Sequence, residues 1–325
     1  MRKFNSFSVA FAAALACCMI SCDKSENEGG DEPEQPAKTA VVYVTGNNTE
    51  TGVYWKNSEP SVLKGVSNDK FTQGKAIAVN GSDVYVAGWE TKLAVVWKNG
   101  EPTALSDNTQ DASANAIAVF NGDVYAAGYD GGSAVLWKNG VATVLTGKFE
   151  SGRANAIAIT ESGDIYVAGH KNYSACIWKN GEPTVIGNKY SDSDSEINSI
   201  FIDGNDIYAA GYIEYDAAFW KNGEATMLTD DSFGALARSI YASDGDVYVV
   251  GCSDDKPVLW KNGAISVLAE SESYGHAYGV AVHGSDVYVV GTDDKKAVLW
   301  KNGEGSTFKE DKRGPVCWAI CIEEE

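Results

Sequence analysis

Apolar residues come in short clusters along this chain, and the clusters return with a period of about forty residues. Four runs fill each period. The first is small and apolar: Ala-Ile-Ala-Val at 76–79, with counterparts beginning at Ala116, Ala156, Ser199, Ser239 and Gly279. The second reads Asp-Val/Ile-Tyr-x-x-Gly and begins at Asp83, Asp123, Asp164, Asp206, Asp246 and Asp286. The third ends in Trp-Lys-Asn at Trp55, Trp97, Trp137, Trp178, Trp220, Trp260 and Trp300, spaced by 42, 40, 41, 42, 40 and 40. The fourth is brief, as at 102–105, 142–145 and 183–186. Runs that alternate, or are small and apolar throughout, predict strands buried on one or both faces. Four of them every forty-odd residues is the length of a β-propeller blade.

The connections predict antiparallel meanders. Asn99-Gly100, Asn139-Gly140, Asn180-Gly181, Asn222-Gly223, Asn262-Gly263 and Asn302-Gly303 separate the third run from the fourth. Asn-Gly accepts the positive φ of a two-residue type I′ hairpin. Tight turns such as Asn121-Gly122 and Asp244-Gly245 separate the first run from the second. The chain ends supply closure. Residues 41–46 match a second run with no first run before them, and 318–322 match a first run with nothing after but 323–325. Pairing the two completes a seventh blade and removes the open edge. The fold class expected is all-β: a seven-bladed β-propeller of four-stranded antiparallel blades, closed by the C-terminal strand against the N-terminal one.

Tyr43, Tyr85, Tyr125, Tyr166, Tyr208, Tyr248 and Tyr288 are equivalent under the repeat, as are the seven Trp. Rings repeated in every blade are assigned to packing between blades, where each can bury about 150–250 Å².

The ends also carry targeting information. Arg2 and Lys3 precede an apolar stretch at 7–20, too short to span a bilayer as a mature helix. The stretch runs into Met19-Ile20-Ser21-Cys22, which resembles the lipobox of bacterial lipoproteins, with Met in place of the usual Leu. That resemblance implies a signal peptide over 1–21 and lipidation of Cys22. Residues 22–39 are acidic and rich in Gly and Pro, a composition that reads as a flexible tether. The propeller is expected over 40–325. An acidic run behind the lipidated Cys resembles the surface-export signal of Bacteroidetes lipoproteins, implying an outer-membrane protein facing the cell surface, with the periplasmic face as the alternative.

Charge narrows the partners. The formal net charge is −19 and becomes more negative once Arg2 and Lys3 are removed. Such a body repels phosphate backbones, which excludes nucleic acid. The expected partners are a membrane, through the anchor on Cys22, and a glycan or protein ligand. Of seven Cys, Cys176, Cys252, Cys317 and Cys321 remain in the folded body. Cys317 and Cys321 are about 13 Å apart along one strand, beyond disulfide reach.

The repeat texture, Val249-Val250-Gly251 leading to Leu259-Trp260-Lys261-Asn262-Gly263, resembles the HAF-type extracellular repeat. The likeness covers 40–322 but lacks the His-Ala-Phe that names that repeat. It implies the scaffold and no defined activity.

Tight Gly turns repeat on one face of the expected ring. The opposite face receives the connections into each innermost strand and those joining second to third strands, which are expected to be longer and which vary. Loops that vary on a rigid scaffold are where binding concentrates. The residues opening the innermost strands, Lys75, Asn115, Asn155, Asn198, Arg238, Tyr278 and Trp318, should ring the channel mouth. Two residues earlier stand Gln73, Ser113, Arg153, Glu196, Leu236, His276 and Val316. Asn, Arg, Tyr and Trp together suit a polar ligand with one apolar face. They equally suit the capping of strand ends and the holding of channel water. Arg153, Arg238 and Arg313 are the only arginines past the signal, and all lie on this face. They could grip an anionic ligand group or pair with acids such as Glu150 or Asp311.

Chemistry for catalysis is sparse. His170, His276 and His283 are the only histidines, and no nucleophile elbow or zincin motif occurs. Asp192, Asp194 and Glu196, Asp254 with Asp255, and Asp293 with Asp294 lack the spacing of a calcium loop. A carboxylate pair such as Glu196 with Asp231 could act across the mouth, though nothing singles it out. No catalytic set, metal site or cofactor is expected. The leading expectation is a non-catalytic surface binding module with its ligand over the channel mouth. The alternatives are a hydrolase or lyase for an acidic polysaccharide, and a structural subunit of an outer-membrane complex.

Overall fold

A computed structural model describes residues 40–48, 50–67, 71–186, 194–229, 234–272, 274–294, 296–308 and 316–324. The expected signal and tether, with Cys22, lie outside the described residues, as do Asp192, Asp231 and Arg313. The described residues form 28 strands in seven four-stranded antiparallel sheets, and no helix. Blade 1 joins Ala40–Asn48, Thr51–Lys56 and Glu59–Val62 to the C-terminal strand Val316–Glu324. Blades 2 to 7 each use four consecutive strands. Their innermost members are Thr72–Asn80, Ala112–Phe120, Gly152–Ile159, Ser195–Asp203, Leu236–Ser243 and Gly275–His283.

Closure pairs the expected segments, with Val42 opposite Ile322, Tyr43 opposite Cys321 and Val44 opposite Ile320. Each innermost strand packs on the next, and Val316–Glu324 packs on those of blades 7 and 2. The ring is complete.

The repeat residues have distinct tasks. All seven Trp and all seven Tyr are buried. Trp97 Nε1 donates to the Lys64 carbonyl (2.7 Å) and Trp178 Nε1 to the Leu145 carbonyl (3.1 Å), each reaching the preceding blade. The motif Asp ties two hairpins together: Asp83 accepts from Asn99 Nδ2 (2.8 Å) and pairs with Lys98 (2.7 Å), while Asn99 Oδ1 accepts from Val84 N (2.8 Å). The same clasp recurs in blades 3 to 7. Blade 1 has Val41 at that position, and Lys56 there lies over the Tyr43 ring. Asn57 and Ser58 make its turn at positive φ without a glycine.

Two expectations need correction. The joins between second and third strands are not long: they are two-residue turns, as at Asn172-Tyr173, made possible by residues at positive φ. Only the connections between blades are long. The innermost strands also begin earlier than expected, because each contains a β-bulge. Register shifts between Gly74 and Ala76, Ala114 and Ala116, Ala154 and Ala156, Ile197 and Ser199, Ala237 and Ser239, and Ala277 and Gly279. In blade 1 the step from Thr45 to Gly46 skips Trp318. The unpaired residues are thus Lys75, Asn115, Asn155, Asn198, Arg238, Tyr278 and Trp318. A bulge re-aims its extra side chain.

The motif glycine is the counterpart of that bulge. A Cβ at Gly251 would stand 1.8 Å from the Leu236 carbonyl oxygen, and one at Gly46, Gly88, Gly128, Gly169, Gly211 or Gly291 would stand 1.8–2.0 Å from its own opposing carbonyl. Gly263 differs, with φ +82 and nothing within 4 Å of a Cβ. Gly263→Ala therefore incurs only left-handed strain, about 1–2 kcal/mol, whereas Gly251→Ala displaces backbone in a packed sheet, at about 3 kcal/mol or more. Denaturation midpoints should fall clearly further for Gly251→Ala, and equal losses would contradict the bulge argument.

Candidate functional site

The seven bulge residues form a buried circuit, 0–8% exposed. Lys75 Nζ donates to Asn115 Oδ1 (3.2 Å), and Asn115 Nδ2 to the Ala154 carbonyl (3.0 Å). Asn155 Nδ2 donates to the Ile197 carbonyl (2.9 Å) and Asn198 Nδ2 to the Ala237 carbonyl (2.9 Å). Arg238 lies over the Tyr278 ring at 5.0 Å, and Tyr278 meets Trp318 edge-on at 4.7 Å. Trp318 Nε1 donates to Asn47 Oδ1 (2.8 Å), which Gln73 Nε2 also approaches from blade 2 (3.4 Å). Every junction between blades is bridged. Burial, with Arg153 adding to it, pulls the Lys75 ammonium down to about 7. His276 is buried between Tyr274 and Tyr278, its Nδ1 3.4 Å from Arg238. Burial and then the Arg238 charge push its imidazole down to about 3.

Open space lies off the axis. A cleft of about 920 Å³ spans blades 3 to 5 on the face of the second-to-third-strand turns. Of the described residues singled out from the sequence as ligand-binding, only Arg153 lines it. Arg153 does not pair with Glu150, which takes Lys171 instead (3.1 Å); it lies over the Tyr129 ring at 4.5 Å.

Cross-strand pairs build the floor. Arg153 stands opposite His170 in blade 4, Glu196 opposite Tyr212 in blade 5, and Ser113 opposite Tyr129 in blade 3. Residues opposite each other on one sheet face are close enough to act together. Glu196 is 4% exposed and fully engaged. Its Oε1 accepts from Asn155 Nδ2 (2.6 Å) and lies 3.1 Å from His170 Nδ1, and its Oε2 accepts from Tyr212 OH (3.0 Å). Burial drives this carboxyl upward, but His170, Asn155 and Arg153 together outweigh it, and the net shift is downward. Burial and the Glu196 charge push the Tyr212 phenol up, so it stays a donor. With Nδ1 held by a carboxylate, the acceptor nitrogen of a neutral His170 is Nε2.

The rim is pinned by backbone. Ser195 N donates to the Tyr173 carbonyl (2.9 Å), Glu214 N to the Asp194 carbonyl (2.7 Å) and Gly152 N to the Gly132 carbonyl (3.0 Å). On it stand Tyr173 and Tyr215, 65% and 70% exposed. Tyr173 is parallel to His170, with ring centroids 6.1 Å apart.

His170, Tyr129 and Tyr212 share one repeat position, directly after the motif glycine. The equivalents elsewhere are Asn47, Trp89, Cys252 and Thr292. A position whose chemistry varies among the copies, beside a glycine that never changes, is the sequence signal for this floor. Among the described residues no group of three or more His, Cys, Asp or Glu could hold a metal, and the four described cysteines are buried thiols.

No family model and no curated protein matches the chain. Solved structures do. The extracellular domain of the putative hybrid two-component system BT4673 from B. thetaiotaomicron matches 86% of this chain with TM-score 0.51 and 10% identity. The chain spans 38% of that longer protein's length. The structure of U3-55K matches 85% of this chain and 90% of its own, with TM-score 0.55 and 14% identity. At such identities the likeness is one of fold.

His276 yields a pH prediction. An unfolded chain protonates it near 6.5, the folded one near 3, so between those values stability is lost as the pH is lowered, by up to about 1.4 kcal/mol per unit. His276→Gln should lessen the loss between pH 6.5 and 4.5 by about 2 kcal/mol in urea titrations. Parallel curves for the two proteins would refute it.

Proposed function

We propose that the chain is a ligand-binding propeller whose recognition site is the tyrosine-walled cleft over blades 3 to 5, not the channel mouth. One observation carries this reading: two largely exposed tyrosines stand on a backbone-pinned rim above a floor of polar, hydrogen-bonded side chains. Exposed aromatic rings held in place at little entropic cost are affinity-bearing groups. The channel-mouth residues bridge blades instead. The cleft volume is that of a site for a short oligomer with a polar and an apolar side, a glycan or a peptide. The lipobox-like end motif supports presentation of this face outside the cell, on a lipid anchor at Cys22. Non-catalytic binding is the primary reading.

A second reading has an observation of its own. A buried carboxylate holding His170 through Nδ1 is how an acid–base histidine is oriented, so the cleft could also turn over what it binds. Loss of turnover in His170→Gln with ligand binding retained would support this. A bound oligosaccharide recovered unchanged after long incubation with the wild-type protein would end it.

The primary reading predicts that Tyr173→Ala/Tyr215→Ala loses at least about tenfold in affinity, about 1.4 kcal/mol, for ligands found on glycan or peptide arrays. Melting should be little changed, since exposed substitutions cost about 0.5 kcal/mol or less. Unchanged array binding by this variant would remove the cleft as the site.

A further inference from the structure

We infer that the cleft selects its ligand by positive charge, taking a Lys or Arg side chain of a peptide segment. This rests on the cleft being the binding site and names the ligand class. Among the described residues that line it, Asp111, Asp194, Glu196 and Glu214 stand with one guanidinium, that of Arg153. Among the described residues, the nearby cations have internal partners: Arg153 lies over Tyr129, Lys92 is 3.7 Å from Asp111, and Lys171 is 3.1 Å from Glu150. An anionic ligand would meet Asp194 and Glu214 at the rim before reaching Arg153. The arginines therefore do not make this an anion site.

The rim has the composition of a cation receptor. Asp194 and Glu214 are joined by a backbone hydrogen bond, and Tyr173 and Tyr215 flank them. A cation on a tyrosine face is attracted by the ring's negative face, more strongly as water is excluded. Carboxylates beside the ring add charge-assisted hydrogen bonds. Tyr173 also occupies a left-handed turn position, φ 63, where the matching turns use Gly132 in blade 3 and Asp255 in blade 6. Lys and Arg carry charge at the end of a methylene stem that can lie along tyrosine faces, which a neutral glycan cannot match. The net charge of −19 raises the local concentration of such ligands.

Titration calorimetry on the intact protein tests this with tri-lysine, its fully Nε-acetylated form, tri-glutamate and chitotriose. Tri-lysine should bind, at least about tenfold more tightly than the acetylated peptide, and more weakly as salt is raised. Asp194→Asn/Glu214→Gln should weaken tri-lysine by at least about tenfold. Asp254→Asn/Asp255→Asn removes the same charge at the equivalent face of blade 6 and should leave affinity within about twofold. Equal binding of the acetylated peptide overturns the proposal, as does equal weakening by the blade 6 variant, which would mean general attraction to an acidic body. Chitotriose binding without tri-lysine binding overturns the charge assignment while leaving the cleft as a glycan site. If none of the four probes binds, the charge assignment fails, and array binding by the tyrosine variant then decides the cleft itself.

Discussion

Each blade depends on a single steric bargain between a bulge and a glycine. The bulge drives a carbonyl oxygen into the space a Cβ would occupy on the neighbouring strand, and only glycine leaves that space empty. In return the innermost strand continues past the bulge and turns one side chain per blade toward its neighbours. The channel circuit, the long innermost strands and the invariant motif glycine all follow from this arrangement. Around it, the Trp and Tyr rings supply buried area, and the Lys–Asp–Asn clasps lock one hairpin to the next on the tight-turn face.

The face that carries the cleft is a by-product of the same geometry. The residue two before each bulge and the residue after each motif glycine are forced opposite one another on the sheet. Their chemistry differs from blade to blade, from Leu236 opposite Cys252 in blade 6 to His276 opposite Thr292 in blade 7. In blades 4 and 5 those positions hold Arg153, His170, Glu196 and Tyr212, and the junction between two blades becomes a floor of coupled polar groups. A buried carboxylate with three donors is a costly arrangement to keep unless it organises something.

The ring was legible in the sequence because Trp-Lys-Asn and Asp-x-Tyr-x-x-Gly recur with hairpin turns between them, and because 41–46 and 318–322 are complementary halves of one blade. The site was less legible, for a physical reason. Period-2 reasoning places Lys75 and its equivalents at strand ends facing solvent, but a bulge adds a residue without altering composition, and it folds those side chains inward. The turn at Asn172-Tyr173 was equally hidden, since a tyrosine at positive φ carries no Gly signal. Arg153 was found because arginine is scarce. Its neighbour His170 counted in the sequence only as one of three histidines, although the strand pairing makes the two face each other.

The channel circuit has one more consequence. Seven nearly interchangeable blades invite errors of assembly, such as a skipped blade or an exchange between two chains, to which repeat proteins are prone. The circuit is not sevenfold. Small asparagines occupy three successive junctions, and Arg238, Tyr278 and Trp318 crowd the opposite arc, so a blade placed one step out of order would face a partner of the wrong size and polarity. The centre of the molecule thus works as an address label: it tells each copy of the repeat which copy it is.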